Sequence, residues 1–143
     1  MSEESTKAGA VRYWWEKSLA SVEAARRELE AGDYAFAINR AYYALFYAVS
    51  ALFLEEGRQF GKHSGVRSAF NRGVVKPGRL SEEHGKLYNQ LFRDRQEGDY
   101  IAFTKFDAPY VQEKIDGCEK FLAALRPLIK SLPPEKACLA SAA

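Results

Sequence analysis

Between Val11 and Ala31, the apolar residues Trp15, Leu19, Val22, Ala25 and Leu29 return at three- and four-residue steps, with Glu16, Lys17, Glu23, Arg26, Arg27 and Glu30 mostly between them. That period puts the apolar positions on one face of a helix. Gly32 then supplies the residue type that ends helices, and Asp33 is placed to cap the next one by accepting from its free amides. The second helix, about Tyr34 to Glu56, carries a stripe of Ile38, Tyr42, Leu45, Val49 and Leu52, and beside it another of Phe36, Tyr43, Phe46 and Phe53. A helix this apolar all round belongs in the middle of a bundle or in a subunit interface. Gly57 ends it.

Within "KHSGVRSAFNR" only Val66, Ala69 and Phe70 offer anchors, which predicts one short helix. Pro77 and Gly78 are the expected central pair of a tight turn, since proline presets the first torsion and glycine allows the positive one. Ser81 with Glu82 and Glu83 opens a further helix, with Leu87, Tyr88, Leu91 and Phe92 facing inward and an end near Gly98. Asp107 and Pro109 mark the start of the last helix, in which Val111, Ile115, Cys118, Leu122, Leu125 and Ile129 keep helical spacing until Pro127 kinks or ends it. No strand-like alternation appears. The chain therefore reads as all-α, an up-and-down four-helix bundle with one additional short helix. Residues 1–10 are expected to be a flexible N-terminus, 11–131 the bundle and 132–143 a flexible tail.

Composition narrows the function classes. A chain of 143 residues with 47% hydrophobic residues is sized for one domain with a real core. Its 21 Lys and Arg nearly cancel its 19 Asp and Glu, so any basic binding patch must be local. Cys118 and Cys138 form no disulfide framework, and with two isolated His they make no metal ligand set at recognisable spacing. Neither a metal nor another cofactor is therefore expected. Both thiols read as reduced in a cytoplasmic protein. "MSEESTKAGA" lacks the basic-then-apolar order of a secretory signal. The longest uncharged apolar run, Ala41 to Leu54, is 14 residues and falls short of the roughly 20 that a spanning helix needs.

The segments "NRAYYALFYAVSALF", "KHSGV" and "LFRDRQEGDY", in this order and at these separations, resemble the HEPN-domain family, in particular its bacterial and archaeal single-domain branch. The resemblance runs from about Trp15 to Leu125. It implies a helical bundle that forms a homodimer, often encoded beside a minimal nucleotidyltransferase; many members are ribonuclease toxins silenced by that partner protein. Active members carry an arginine followed after four to six residues by a histidine in the dimer cleft. In such a pair the histidine can move a proton at the ribose 2′-hydroxyl or the leaving oxygen, and the arginine can hold the phosphate through two parallel hydrogen bonds. In members resembling this chain, the Arg-Ala-Tyr-Tyr helix often carries a histidine seven positions after its arginine. Here that arginine is Arg40, and Tyr47 stands where the histidine would be, on the same helix face. With an ordinary pKa near 10, tyrosine is a poor proton shuttle at neutral pH.

Two other pairs have the Arg-to-His spacing, Arg58 with His63 and Arg79 with His84, although neither lies inside one predicted helix. The candidate catalytic residues are thus Arg40 and His63. Tyr47, Arg95, Asp99 and Tyr100 are the candidate binding residues lining the same cleft. Each has a plainer reading. Arg40 could tie its helix to Glu97 or Asp99, since burying an unpaired guanidinium costs about several kcal/mol. Arg93 and Arg95 could simply complement a helix C-terminus. His63 could be a local hydrogen-bonding residue, and His84, in the first turn of its helix, is expected to face solvent. Tyr42, Tyr43, Phe46 and Tyr47 could stack on bases, although aromatics at helical spacing usually form core.

Three functions follow as expectations. One is an RNA- or nucleotide-binding HEPN protein, as a metal-independent ribonuclease toxin paired with a nucleotidyltransferase-like partner. Another is a catalytically silent HEPN bundle serving as an interaction or accessory subunit. The most distant is a tetratricopeptide-like peptide-binding module, suggested by "GDY" at 32–34 and again at 98–100.

Overall fold

The computed structural model describes residues 3–100 and 106–133. Among these the chain forms α1 (Glu3–Glu30), α2 (Tyr34–Glu55), α3 (His63–Phe70) with a π turn (Asn71–Val75), α4 (Glu82–Tyr100) and α5 (Ala108–Leu125) with a 3-10 turn (Arg126–Leu128). No strand occurs among the described residues. This is the all-α bundle that the periodicity predicts. α1 begins ahead of its first core position, because "EESTKAGA" is rich in helix formers and carries its acids at the end that the helix dipole favours. Hydrophobic spacing cannot register a turn with no core contact. Of the expected tail, residues 134–143 lie outside the described residues.

α1 and α2 form a tight hairpin. Gly32 adopts a φ of +79°, its amide donates to the Leu29 carbonyl at 3.0 Å, and the Asp33 amide donates to the Glu28 carbonyl at 2.8 Å. That pair of bonds satisfies the last carbonyls of α1. It also overrules the capping expected of Asp33, whose carboxylate accepts no cap bond. The same residue closes α1, and its ψ of 71° is not the extended value from which a carboxylate folds back onto the next helix. Asp107 does cap α5, accepting from the Tyr110 amide at 2.9 Å with an extended backbone.

α2 is the central helix and packs against α1, α3, α4 and α5. By length and composition it is the one described helix apolar enough to cross a membrane, yet Ile38, Tyr42, Leu45, Val49 and Leu52 are fully buried within the bundle. Alanines at 37, 41, 44, 48 and 51 let neighbours approach its backbone. Ser18 Oγ donates to the Ala44 carbonyl at 2.6 Å, and the free, buried Cys118 places its Sγ 3.6 Å from the Ala41 carbonyl. Along its outer side Phe36, 66% exposed, and Arg40 reach solvent, while Tyr43 and Tyr47 are half-buried.

Pro77 and Gly78 do not centre an isolated tight turn. Gly78 has the positive φ expected of it, +85°, but as the terminator of the π turn: its amide donates to the Val75 carbonyl and the Arg79 amide to that of Val74, both at 2.9 Å. The helical segment simply runs further than its anchors suggested. α5 stops at Leu125, ahead of Pro127, as the missing amide requires. The two "GDY" stretches occupy opposite contexts, one leading into α2 and one closing α4, so they do not mark a repeat.

Candidate functional site

His63 is the first residue of α3, and its ring enters a cluster of aromatic side chains on α2. It stacks on Phe46 at 4.2 Å between ring centroids, lies parallel to Tyr42 at 5.8 Å and meets the edge of Tyr43 at 5.7 Å. The Tyr42 hydroxyl is 2.9 Å from His63 Nδ1. Burial, and after it the positive charge of Arg95, hold His63 below its ordinary pKa, which favours the neutral imidazole. Burial pushes Tyr42 well above the usual phenol range, against the opposing pull of Arg95 and Arg67, so its hydroxyl keeps its proton. That hydroxyl can donate to Nδ1 or accept from Nδ1–H, and so serves either neutral tautomer.

Two arginines approach from α4 and α3. The Arg95 guanidinium sits 5.2 Å from the centre of the Tyr42 ring and 5.3 Å from that of Tyr43, within the range of cation–π attraction. Arg67, four residues after His63 and on the same face of α3, lies 4.4 Å from the Phe92 ring centre. Its Nη1 donates to Asn89 Oδ1 at 3.3 Å. Asn71, carried by the π turn, donates to that same Oδ1 at 2.9 Å and to the Arg67 carbonyl at 3.0 Å. π turns are uncommon and often sit at functional sites. Beneath these groups the Tyr88 ring is fully buried, 6.2 Å from the Tyr42 ring and close enough to Arg67 for its charge to act on the hydroxyl.

The residues singled out from sequence divide into two groups. His63 and Arg95 come together, with Arg95 acting on the imidazole. Arg40 is exposed on the outer stripe of α2, so the idea of an enclosed charge there gives way to a solvated one. Tyr47 stands beyond Tyr43 and Phe46, 5.5 and 5.8 Å from them, and also touches Trp14 at 5.4 Å. Lys17 of α1 covers that corner, 4.8 Å from the Tyr47 ring and 5.2 Å from Trp14. The side chains of Glu97, Asp99 and Tyr100, at the end of α4, lie outside the described residues.

Neither spaced Arg-His pair is a contact here. Arg58 covers the Phe53 and Phe60 rings at 5.0 and 5.1 Å, while Arg79 pairs with Glu56 at 2.8 Å. His84 is only 9% exposed, because the first turn of α4 lies on α5 and brings its ring edge-on to Phe121 at 5.6 Å. The expectation that it faces solvent is corrected on that ground.

Arg67, Asn71 and Asn89 were missed in the sequence. A search for arginine followed by histidine passes over "HSGVR", in which the order is reversed and the spacing of four still puts both side chains on one helix face. The open groove between α4 and α5, lined by Glu83, Leu87, Gln90, Asp116 and Lys120 among others, mixes both signs of charge and lies away from this cluster.

The HEPN domain model matches residues 11–128. Over 122 residues, 85% of this chain and 92% of the relative, the chain is 43% identical to a UPF0332 protein of Thermotoga maritima. Two proteins of Methanocaldococcus jannaschii, each named "Putative toxin", are also similar. One is 35% identical over 102 residues, 69% of this chain and 69% of the relative; the other is 28% identical over 127 residues, 82% and 92%. With a family match that runs from the first core residue of α1 to the end of the 3-10 turn, the chain belongs to the HEPN-domain family.

Proposed function

We propose that this chain is the toxin of a two-component system, binding RNA at the His63 cluster and cleaving it without a metal. The observation that carries the reading is His63 itself: a histidine favoured in its neutral form, held at Nδ1 by a tyrosine hydroxyl, with an arginine acting on it from another helix. A neutral imidazole can take the proton of a ribose 2′-hydroxyl as that oxygen attacks the adjacent phosphorus. The same imidazolium can return the proton to the 5′-oxygen as its bond to phosphorus breaks, leaving a 2′,3′-cyclic phosphate and a 5′-hydroxyl. Arg95 offers positive charge for the crowded phosphoryl oxygens, and Tyr43, Phe46 and Tyr47 offer faces for base stacking.

The outward stripe of α2 supports a homodimer. Phe36 and Arg40 are exposed and Tyr43 and Tyr47 half-exposed beside them, and a largely aromatic stripe on a central helix suits a second copy of the chain. In that reading Arg40 stands at the rim of a cleft shared by two copies. A nucleotidyltransferase-like protein is the proposed antitoxin, in keeping with relatives named for toxins. The cytoplasm is the proposed compartment.

The test is cleavage of single-stranded RNA by the chain alone in the presence of a chelator, repeated with His63→Ala, Arg95→Ala and Arg40→Ala. Loss of cleavage in the first two variants is expected. RNA left whole at high protein concentration would remove the catalytic reading. One specific observation favours the second reading, a silent interaction subunit: the position expected to carry histidine on α2 is Tyr47, and its neighbour along the stripe, Arg40, is exposed. Uncut RNA together with a stable complex with the partner would establish it.

A further inference from the structure

We infer that Arg67 and the Tyr88 hydroxyl, both close to the Tyr42 that bonds His63, form a binding site for a phosphate group, with Arg67 as the residue that holds it. The inference deepens the proposed function and rests on His63 being at the centre of the site.

Arg67 is half-buried, yet among the described residues no carboxylate lies within ion-pair distance of it. Its Nε–H is buried and has no acceptor. Withdrawing a guanidinium from water without an anion is unfavourable, and leaving one of its donors unmet adds to that. The rest of the group is nonetheless well fixed. Nη1 is tied to Asn89 Oδ1, which the Asn71 amide also fixes, and the Phe92 ring lies against the guanidinium. One edge is therefore anchored to protein. The edge that carries Nε, whose two parallel donors suit two oxygens of one anion, is left to be met by something else.

The second observation is independent of Arg67. The Tyr88 hydroxyl is completely buried and has no hydrogen-bond partner. Buried hydroxyls are nearly always paired. This one lies within reach of the Arg67 charge, on a ring 6.2 Å from that of Tyr42. Two unmet donors thus lie around Tyr42, whose ring is 6.2 Å from that of Tyr88 and whose hydroxyl bonds His63. A tetrahedral anion with several acceptor oxygens fits such a set better than a planar carboxylate, which two parallel donors would already satisfy. Phosphate is the anion that meets donors from several directions at once. Its source is either a phosphodiester of RNA or the phosphate of a free nucleotide.

The experiment titrates the full-length chain with inorganic phosphate, with 5′-AMP and with a ten-nucleotide single-stranded RNA, by calorimetry and by the NMR shifts of the His63 ring. Wild type is expected to bind all three. Arg67→Gln should weaken each by at least tenfold, and Tyr88→Phe by a few fold. Tighter binding of the RNA than of 5′-AMP would assign the phosphate to a polynucleotide; the reverse would assign it to a free nucleotide. Should Arg67→Gln fail to fold, Tyr88→Phe, which removes only an unpaired hydroxyl, decides the matter. Unchanged affinity in a folded Arg67→Gln, unchanged affinity in Tyr88→Phe where only that variant folds, or no phosphate binding by wild type, overturns the inference. Phosphate binding lost in Arg67→Gln while wild type leaves RNA uncut would sustain this site and remove the cleavage reading. RNA cut by Arg67→Gln with wild-type kcat and KM would do the opposite.

Discussion

The Tyr42 hydroxyl and His63 Nδ1 are 2.9 Å apart, which joins the core of α2 to the first residue of α3 through the one titratable side chain of the cluster that changes charge near neutrality. Tyr42 is completely buried, so its ring is held by packing and its hydroxyl delivers that rigidity to the imidazole. Tyr42→Phe keeps the ring and deletes the bond. The expected loss is about 0.5–1.5 kcal/mol of stability in urea unfolding. If the bond also orients the imidazole during cleavage, the rate falls by up to about tenfold. A variant with unaltered cleavage would show that the bond does not position the ring.

Acidification should weaken the fold through His63. Burial, followed by Arg95, lowers its folded-state pKa from the ordinary 6.5. The unfolded chain therefore takes up this proton first, and stability drops as pH falls below about 6.5, levelling off once the folded histidine also titrates. Stability is full above that window. The check is the urea midpoint at pH 7.5 and pH 5 for wild type and His63→Gln: wild type should lose more. Arg95→Gln should raise the His63 pKa read by NMR, though not to 6.5, since burial is the larger cause.

Asp94 on α4 is only 3% exposed, and it is held by Gln90 Nε2 at 2.7 Å and by the Tyr110 hydroxyl of α5. Tyr110→Phe leaves one oxygen of a buried carboxylate without its donor. A cost of about 1–3 kcal/mol is expected. Adding Asp94→Asn should then cost less than it does in wild type, since the two groups are coupled. Additive losses in a double-mutant cycle would refute that coupling.

Phe36→Glu places a charge on the outward stripe of α2 at a position 66% exposed, where the isolated fold has no use for the ring. Light scattering at micromolar concentration should give a dimer for wild type and a monomer for the variant, with unchanged helix content. A wild-type monomer would dismiss the shared cleft.

By contrast, Arg26 bonds Asp116 at 3.0 Å and Glu119 at 2.8 Å with acids that are half exposed. Solvent screens such pairs, so Arg26→Ala should change stability by no more than about 1 kcal/mol. A larger change would mean that this surface network fixes the α1–α5 packing.

Much of the fold could be read along the chain because each helix carries its own period and its own terminators: Trp15 to Leu29 for α1, Gly57 after α2, Asp107 and Pro109 before α5. The site was only partly legible. His63 and Arg95 stood out as residue types, but nothing local announces that 32 residues of separation close to a contact range across Tyr42. Arg40 looked enclosed because α2 is apolar on nearly every face, whereas on its outer side even the apolar Phe36 is exposed beside it. His84 looked solvated because the ring that covers it, Phe121, belongs to another helix. Asp33 shows the limit even of local rules: its backbone serves the helix it follows before its side chain can serve the one it precedes.

The Gly32 and Asp33 closure between α1 and α2 also sets an order of events during synthesis. Contacts in that hairpin join segments adjacent in the chain, so it can form once residues up to Gly57 have emerged, whereas His63 must wait for Arg95. At ordinary translation rates that interval is roughly two to eight seconds. During it the nascent chain already presents Phe36, Arg40 and Tyr47 and has no assembled cluster around His63. A partner that recognises the hairpin face can therefore engage this protein before the cluster around His63 is assembled.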